Sequence, residues 1–213
     1  MDSLIDSLEL LGSEALAGWV ALIKDILIAV AAIVGLYSLR QWRAELKGNA
    51  RFELARRMVL LAFEFRERFH FVRNPFTFSS EYEDRPDRDA SEEVGGLSDR
   101  QYAVQKRFTP LAETTMELSR CLWEARIVLD RKVANKVEPL EQSFLELKRA
   151  IRLDFGLQEM MANVPAFSLD EKDMAEVKAR QKILYYQGEG DELDKLVNEA
   201  VDALVEHLER YVP

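Results

Sequence analysis

One cysteine and two histidines in 213 residues leave this chain almost without the side chains that soft metals and nucleophilic catalysis use. Cys121 stands alone, so there is no disulfide framework, in keeping with a reducing compartment. Zinc sites of the Cys/His kind lack ligands. Glu67 and His70 have the Glu-x-x-His spacing of helical di-iron bundles, but such sites need a second copy, and His207 has glutamates at 206 and 209 and none at 204. His70 therefore reads as a surface or interface histidine, with no metal, no cofactor and no catalytic triad. Glycine is also scarce: Gly188-x-Gly190 is too short to cradle a phosphate, and no Gly-Lys-Ser or Gly-Lys-Thr follows any glycine run. Runs that alternate apolar and polar residues are missing, which excludes an extended β-sheet. Few prolines, 48% hydrophobic and 31% charged residues give the profile of an all-α protein. An enzyme is not expected.

What the chain does have is one long apolar stretch, Ala15 to Leu39, broken only by Lys24 and Asp25. At ~1.5 Å per residue, Ile26 to Leu39 covers only ~21 Å, short of the ~30 Å hydrocarbon core, whereas starting at Ala15 gives roughly 37 Å. The span is therefore residues 15–39, and it contains the charged pair. An ionisable group at the bilayer centre costs on the order of 3 kcal/mol, so such groups face a protein interior or a water-filled cavity. The alternative is that Lys24 snorkels and Asp25 sits where the bilayer thins. Gly18, Ala21, Asp25, Ala29, Ala32 and Gly35 follow one another at steps of three and four, and so share one side of a helix. In lipid, small side chains let helix backbones approach, and a lone span must find its partner in another chain, which favours homo-oligomers.

The flanks set the orientation. Residues 1–14 carry Asp2, Asp6, Glu9 and Glu14 and no Lys or Arg, whereas Arg40, Arg43, Lys47, Arg51, Arg56 and Arg57 follow the span. The Lys/Arg bias predicts an N-terminus outside and the C-terminal bulk in the cytoplasm of a bacterial inner membrane. Those six cations read as membrane-surface residues, with residues 40–50 a basic juxtamembrane connector, and lipid the first expected partner. Tyr37 and Trp42 sit where an interfacial aromatic belt falls. An acidic start and Leu-Arg-Gln-Trp after the apolar run do not form a cleavable signal. Leu4, Ile5, Leu8, Leu11 and Ala15 form an apolar edge, so the extracytoplasmic residues 3–14 are expected to lie as a short surface helix.

The formal net charge of −9 conceals a polarity: residues 40–73 are basic and the rest is acidic. Residues 51–213 suffice for one domain. Leu54, Met58, Leu61, Phe65, Phe69 and Val72 recur at helical spacing, Gly48 and Asn49 mark a joint before them, and Asn74-Pro75 ends the helix. Arg66, Arg68 and Arg73 interleaved with Phe69 and Phe71 resemble a nucleic-acid platform, but the pattern is more simply an amphipathic helix with a solvated face; nucleic acid is not expected. The Val72 to Phe76 stretch terminates the helix and fixes a corner. Residues 79–97 form an acidic loop. A helix from Ser98 or Asp99 runs to about Ala134, with a kink or restart at Thr109-Pro110. Its Leu111, Met116, Leu118, Leu122, Trp123, Ile127 and Leu129 predict burial on most sides. Pro139 suits the first turn of the next helix, carrying Leu140, Phe144, Leu147, Ile151 and Phe155 on one face. Ser168 and Glu171 have capping-box spacing for a helix to Tyr186, and Asp191 caps the last, with Leu193, Leu196, Val197, Ala200, Leu204 and Leu208. Five such helices make an antiparallel bundle.

One N-terminal span, an arginine-rich amphipathic helix ending in Arg73-Asn74-Pro75-Phe76, and a small helical cytoplasmic domain resemble uncharacterised bacterial single-span proteins. In architecture the layout is also similar to the pore-forming membrane accessory proteins of RNA-targeting CRISPR systems. No catalytic residue or diagnostic motif matches, and the Arg-to-His spacing of small helical RNases is missing, since only three residues separate Arg66 from His70. The resemblance implies an oligomeric ring acting in phage defence as a gated pore or membrane effector, with Lys24 and Asp25 at its lining. The competing expectation is a membrane-tethered module that recruits a cytosolic protein partner through the acidic loop.

Overall fold

Apolar residues at steps of three and four run through most of the chain, and a computed structural model of it describes residues 2–85, 97–163 and 170–212, with first-helix side chains at Trp19, Lys24 and from Ile26 onward. Among the described residues every regular element is helical: α1 (Asp2–Val72), α2 (Leu97–Val128), α3 (Val133–Asn163), α4 (Glu171–Leu184) and α5 (Glu192–Glu209), with one 3-10 turn at Ser79–Glu81. The chain divides into two compact units, Met1–Asn49 and Ala50–Pro213, and α1 contributes to both. From Ile26 onward α1 is long and apolar enough to cross a membrane.

Residues 3–14 are helical and continuous with the rest of α1, and the joint expected at Gly48-Asn49 does not occur, the backbone being helical on both sides of it. A mid-helix glycine costs roughly 0.5–1 kcal/mol relative to alanine, too little to stop a helix whose neighbours all favour it.

The second unit is organised by a shared core. From α1 it takes Leu54, Ala55, Met58, Ala62, Phe65, Phe69 and Val72, with Phe65 and Phe69 stacked at 5.6 Å between centroids. From α2 come Leu111, Leu118, Cys121, Leu122 and Ala125; from α3, Val133, Val137, Leu140, Leu147 and Ala150; from α5, Val197, Ala200, Val201, Leu204 and Leu208. α3 packs against α2, α4 and α5. Arg51 Nε lies 3.0 Å from the carbonyl of Val128, and the Arg68 guanidinium donates to the carbonyl of Pro110.

Several helix ends differ from expectation, each for a local reason. α2 passes through Pro110 without interruption, because one missing amide is tolerated in a helix held by tertiary contacts on both sides of it. It stops at Val128, not Ala134, since the Asp130 Oδ1 accepts the amides of Lys132 and Val133 at 2.6 and 3.2 Å and starts α3 there. Pro139 is consequently the seventh residue of α3, not in its first turn. Asp170 caps α4 by accepting the Asp173 amide at 2.7 Å, while Ser168 lies outside the described residues. α4 ends at Leu184, two residues before the expected Tyr186, whose amide donates to the Arg73 carbonyl at 3.0 Å. Asp191 caps α5 as expected, its Oδ1 accepting the Asp194 amide at 2.9 Å.

α2 also departs from its expected burial. Met116, Trp123 and Ile127 are exposed, and only the Leu111, Leu118 and Leu122 side of the helix faces the core. Apolar content alone overstated how much of this helix is covered.

Candidate functional site

Among its described side chains, the first unit presents apolar residues outward. Ile26, Leu27, Ile28, Val30, Ile33, Val34, Leu36, Tyr37 and Leu39 are all exposed, as is Lys24. Ala29, Ala32 and Gly35 are exposed too, and a methyl group placed on Gly35 would meet nothing within 4 Å. Within one chain, therefore, the small residues are not made necessary by any neighbour. Gly18, Ala21 and Asp25 lie within α1, and their side-chain surroundings fall outside the described residues.

The six basic residues that follow the apolar stretch separate into two groups. Arg40, Arg43 and Lys47 are exposed and make no ion pair among the described residues. Arg51, Arg56 and Arg57 belong to the second unit and are engaged: Arg51 with the Val128 carbonyl, Arg56 at 4.0 Å from Glu53, and Arg57 with Glu117. Farther along, Arg66 lies 3.8 Å from Asp202, and Arg68 pairs with Glu64. Within the Arg/Phe pattern Phe69 is buried, whereas Phe71 is exposed and carries Arg107 over its ring at 4.9 Å.

Two buried arginines hold the corner at Asn74-Pro75-Phe76. Arg73 is wholly buried, and its guanidinium donates to both carboxylate oxygens of Asp191 at 3.1 and 2.8 Å. It also donates to the carbonyls of Ile183, Lys182 and Tyr185 at 2.8, 2.8 and 3.1 Å. A single residue thus joins the end of α1 to the last turn of α4 and the first of α5. Burial pushes the Asp191 carboxyl up, but the Arg73 guanidinium and the amides of Asp194 and Gln187 outweigh it and hold the group below its ordinary value. Arg107 plays the parallel part on the other side. It donates to Glu81 Oε1 at 2.7 Å and to the Asn74 carbonyl at 2.9 Å, and its bond to Glu81 lowers that carboxyl. Lys106 holds Asp84 at 2.8 Å. The start of the acidic loop is accordingly bound down by cations of α2, while residues 86–96, the rest of that candidate recruiting segment, lie outside the described residues.

His70 is committed to the same corner, its Nε2 2.6 Å from Asp194 Oδ1. Glu67 is exposed, and among the described residues no three His, Cys, Asp or Glu side chains gather as a metal would require. Sequence reasoning missed the partners of Arg73 and Arg107. The only available signal was a cation placed immediately before a Pro-containing corner, and nothing local names an acid more than a hundred residues away.

Compared with known proteins, the chain matches no family model, no curated protein and no solved structure.

Proposed function

We propose that this is a single-pass protein of a bacterial inner membrane, N-terminus outside, whose residues 51–213 form a cytoplasmic antiparallel helical bundle and whose copies assemble through the span. The supporting observation is the outward apolar surface from Ile26 to Leu39. Each large apolar side chain is worth about 1.5–3 kcal/mol when fully buried. Nine such side chains therefore outweigh the roughly 3 kcal/mol that an ionisable group such as Lys24 or Asp25 costs in lipid. The antiparallel arrangement is supported by the pairing of Arg51 with Val128 and of Arg68 with Pro110, which favours opposite directions for α1 and α2.

Within the assembly, the stripe Gly18, Ala21, Ala29, Ala32 and Gly35 packs span against span, and Lys24 and Asp25 face the interior, in the manner of a gated pore or membrane effector of phage defence. The open space around Gly35 supports this, since its small size is unused within one chain. The exposed Arg40, Arg43 and Lys47 lie on anionic headgroups.

The test is the mass of the detergent-solubilised protein by light scattering, followed by ion flux through reconstituted vesicles. An oligomer whose flux changes in Lys24→Ala or Asp25→Ala supports the pore. A monomer overturns it, because one helix cannot enclose a channel, and leaves the tethered interaction module as the reading. Full recovery in the soluble fraction after alkaline washing overturns the membrane assignment itself.

A further inference from the structure

Resting on the membrane reading above, we infer that the turn between α2 and α3, with Trp123 and Ile127 on the last turns of α2, is a second membrane contact that docks on anionic lipid headgroups. Ile127 is 88% exposed and Trp123 68% exposed, and four residues apart on a helix they share a face. Neither contributes to the core. Arg126 stacks over Trp123 at 4.8 Å, so the exposed aromatic ring carries its own cation. A Trp with an adjacent aliphatic and a guanidinium is the chemistry of the headgroup layer, where an amphipathic ring can keep its apolar body in acyl chains and its polar edge in water.

The charge around it has the matching sign. From Trp123 to Glu138 the chain carries Arg126, Arg131, Lys132 and Lys136 against Glu124, Asp130 and Glu138. The carboxylate of Asp130 is already engaged by Arg210, by the Tyr211 hydroxyl at 3.1 Å and by two amides of its own turn. Arg131 and Lys132 are exposed and make no ion pair among the described residues. Near an anionic surface each such cation contributes about 1 kcal/mol. A second copy seated on the same face would set Arg131 and Lys132 against their own counterparts, which is repulsive, so lipid is the better occupant.

Arg51 Nε is bonded to the Val128 carbonyl beside the turn, and twelve residues of sequence separate Arg51 from Leu39, the end of the apolar stretch. The opposite end of the unit exposes Glu83 and Glu189, acids that headgroups repel. The two ends of the domain therefore differ in which one a negative bilayer attracts.

The experiment uses the full-length chain carrying Cys121→Ala and a single new thiol, Ile127→Cys or, as the reference, Glu83→Cys, labelled with an environment-sensitive fluorophore. It is reconstituted in phosphatidylcholine vesicles with or without about a quarter phosphatidylglycerol, and nitroxide lipids report contact; at least about twofold stronger quenching at 127 than at 83 is expected in the anionic vesicles. That difference should fall by about half or more in neutral vesicles and in the Arg126→Ala, Arg131→Ala, Lys132→Ala variant. Equal quenching at the two positions, in a chain that floats with the vesicles, overturns the inference and leaves the anchor standing. A chain that does not float overturns the anchor and the inference together. A label at 127 that responds to protein dilution instead of lipid charge identifies a second copy as the occupant and overturns it as well.

Discussion

Arg73 shows how much one residue can organise when its charge has no access to water. Its bidentate pairing with Asp191 and three carbonyl bonds leave almost no donor unused, so truncation would strand a buried carboxylate. Breaking a buried pair in this way costs about 3–5 kcal/mol, and Arg73→Ala is expected to lower the urea midpoint accordingly. Arg73→Lys should recover only part of it, since a point charge cannot reproduce the planar fork. Asp191 also makes a pH statement. Its folded carboxyl lies below its ordinary value, so its contribution is complete above the unfolded value of about 3.9 and is lost as pH falls through the lower folded value. Asp191→Asn should therefore flatten the acid limb of a stability profile measured by circular dichroism. Asp154 behaves in the opposite sense. Burial pushes its carboxyl up, so ionisation weakens the fold as pH rises through the shifted value. Asp154→Asn keeps an acceptor for the Gln158 amide, 2.6 Å away in the native chain, and is expected to raise the melting temperature at pH values above that shifted value and leave it unchanged well below the ordinary carboxylate value of about 3.9.

At the scale of the element, α5 is the clearest case of pattern becoming structure. Asp191 caps it, and Val197, Ala200, Val201, Leu204 and Leu208 line one buried side while Leu196 stays exposed. Leu204→Ala should cost about 2–5 kcal/mol, whereas Leu196→Ala should stay within about 0.5 kcal/mol, measured by chemical denaturation of both variants. Periodicity made α5 and the 54–72 face of α1 legible, because one-sided burial leaves a repeating mark. Boundaries were less legible. The start of α3 depends on an aspartate folding back on its own turn, and the uninterrupted passage of α2 through Pro110 depends on partners from α1, neither of which a local pattern displays. The exposed side of α2 misled for a related reason: apolar composition says a surface wants cover, and does not say that this chain supplies it. The long apolar helix was legible from its composition and length, whereas the buried Arg73–Asp191 pair, joining residues distant in sequence, was not.

For the whole molecule, the arrangement separates two kinds of apolar surface. One is closed into a core by four helices and the last part of α1; the other, from Ile26 to Leu39, is left open. Such a chain should need detergent to leave the membrane fraction and should aggregate when detergent is diluted away, a behaviour that sedimentation would register directly. The interior of the second unit offers a different measurement. Its single thiol, at Cys121, is 2% exposed, and burial pushes its ionisation up, so the thiolate that reacts with disulfide reagents is both hidden and scarce. Wild-type protein treated with such a reagent should remain unmodified until α2 parts from its neighbours, and the modification rate should climb with denaturant in step with global opening. The native chain thus contains a one-atom clock for its own unfolding, readable in lipid without any engineered label.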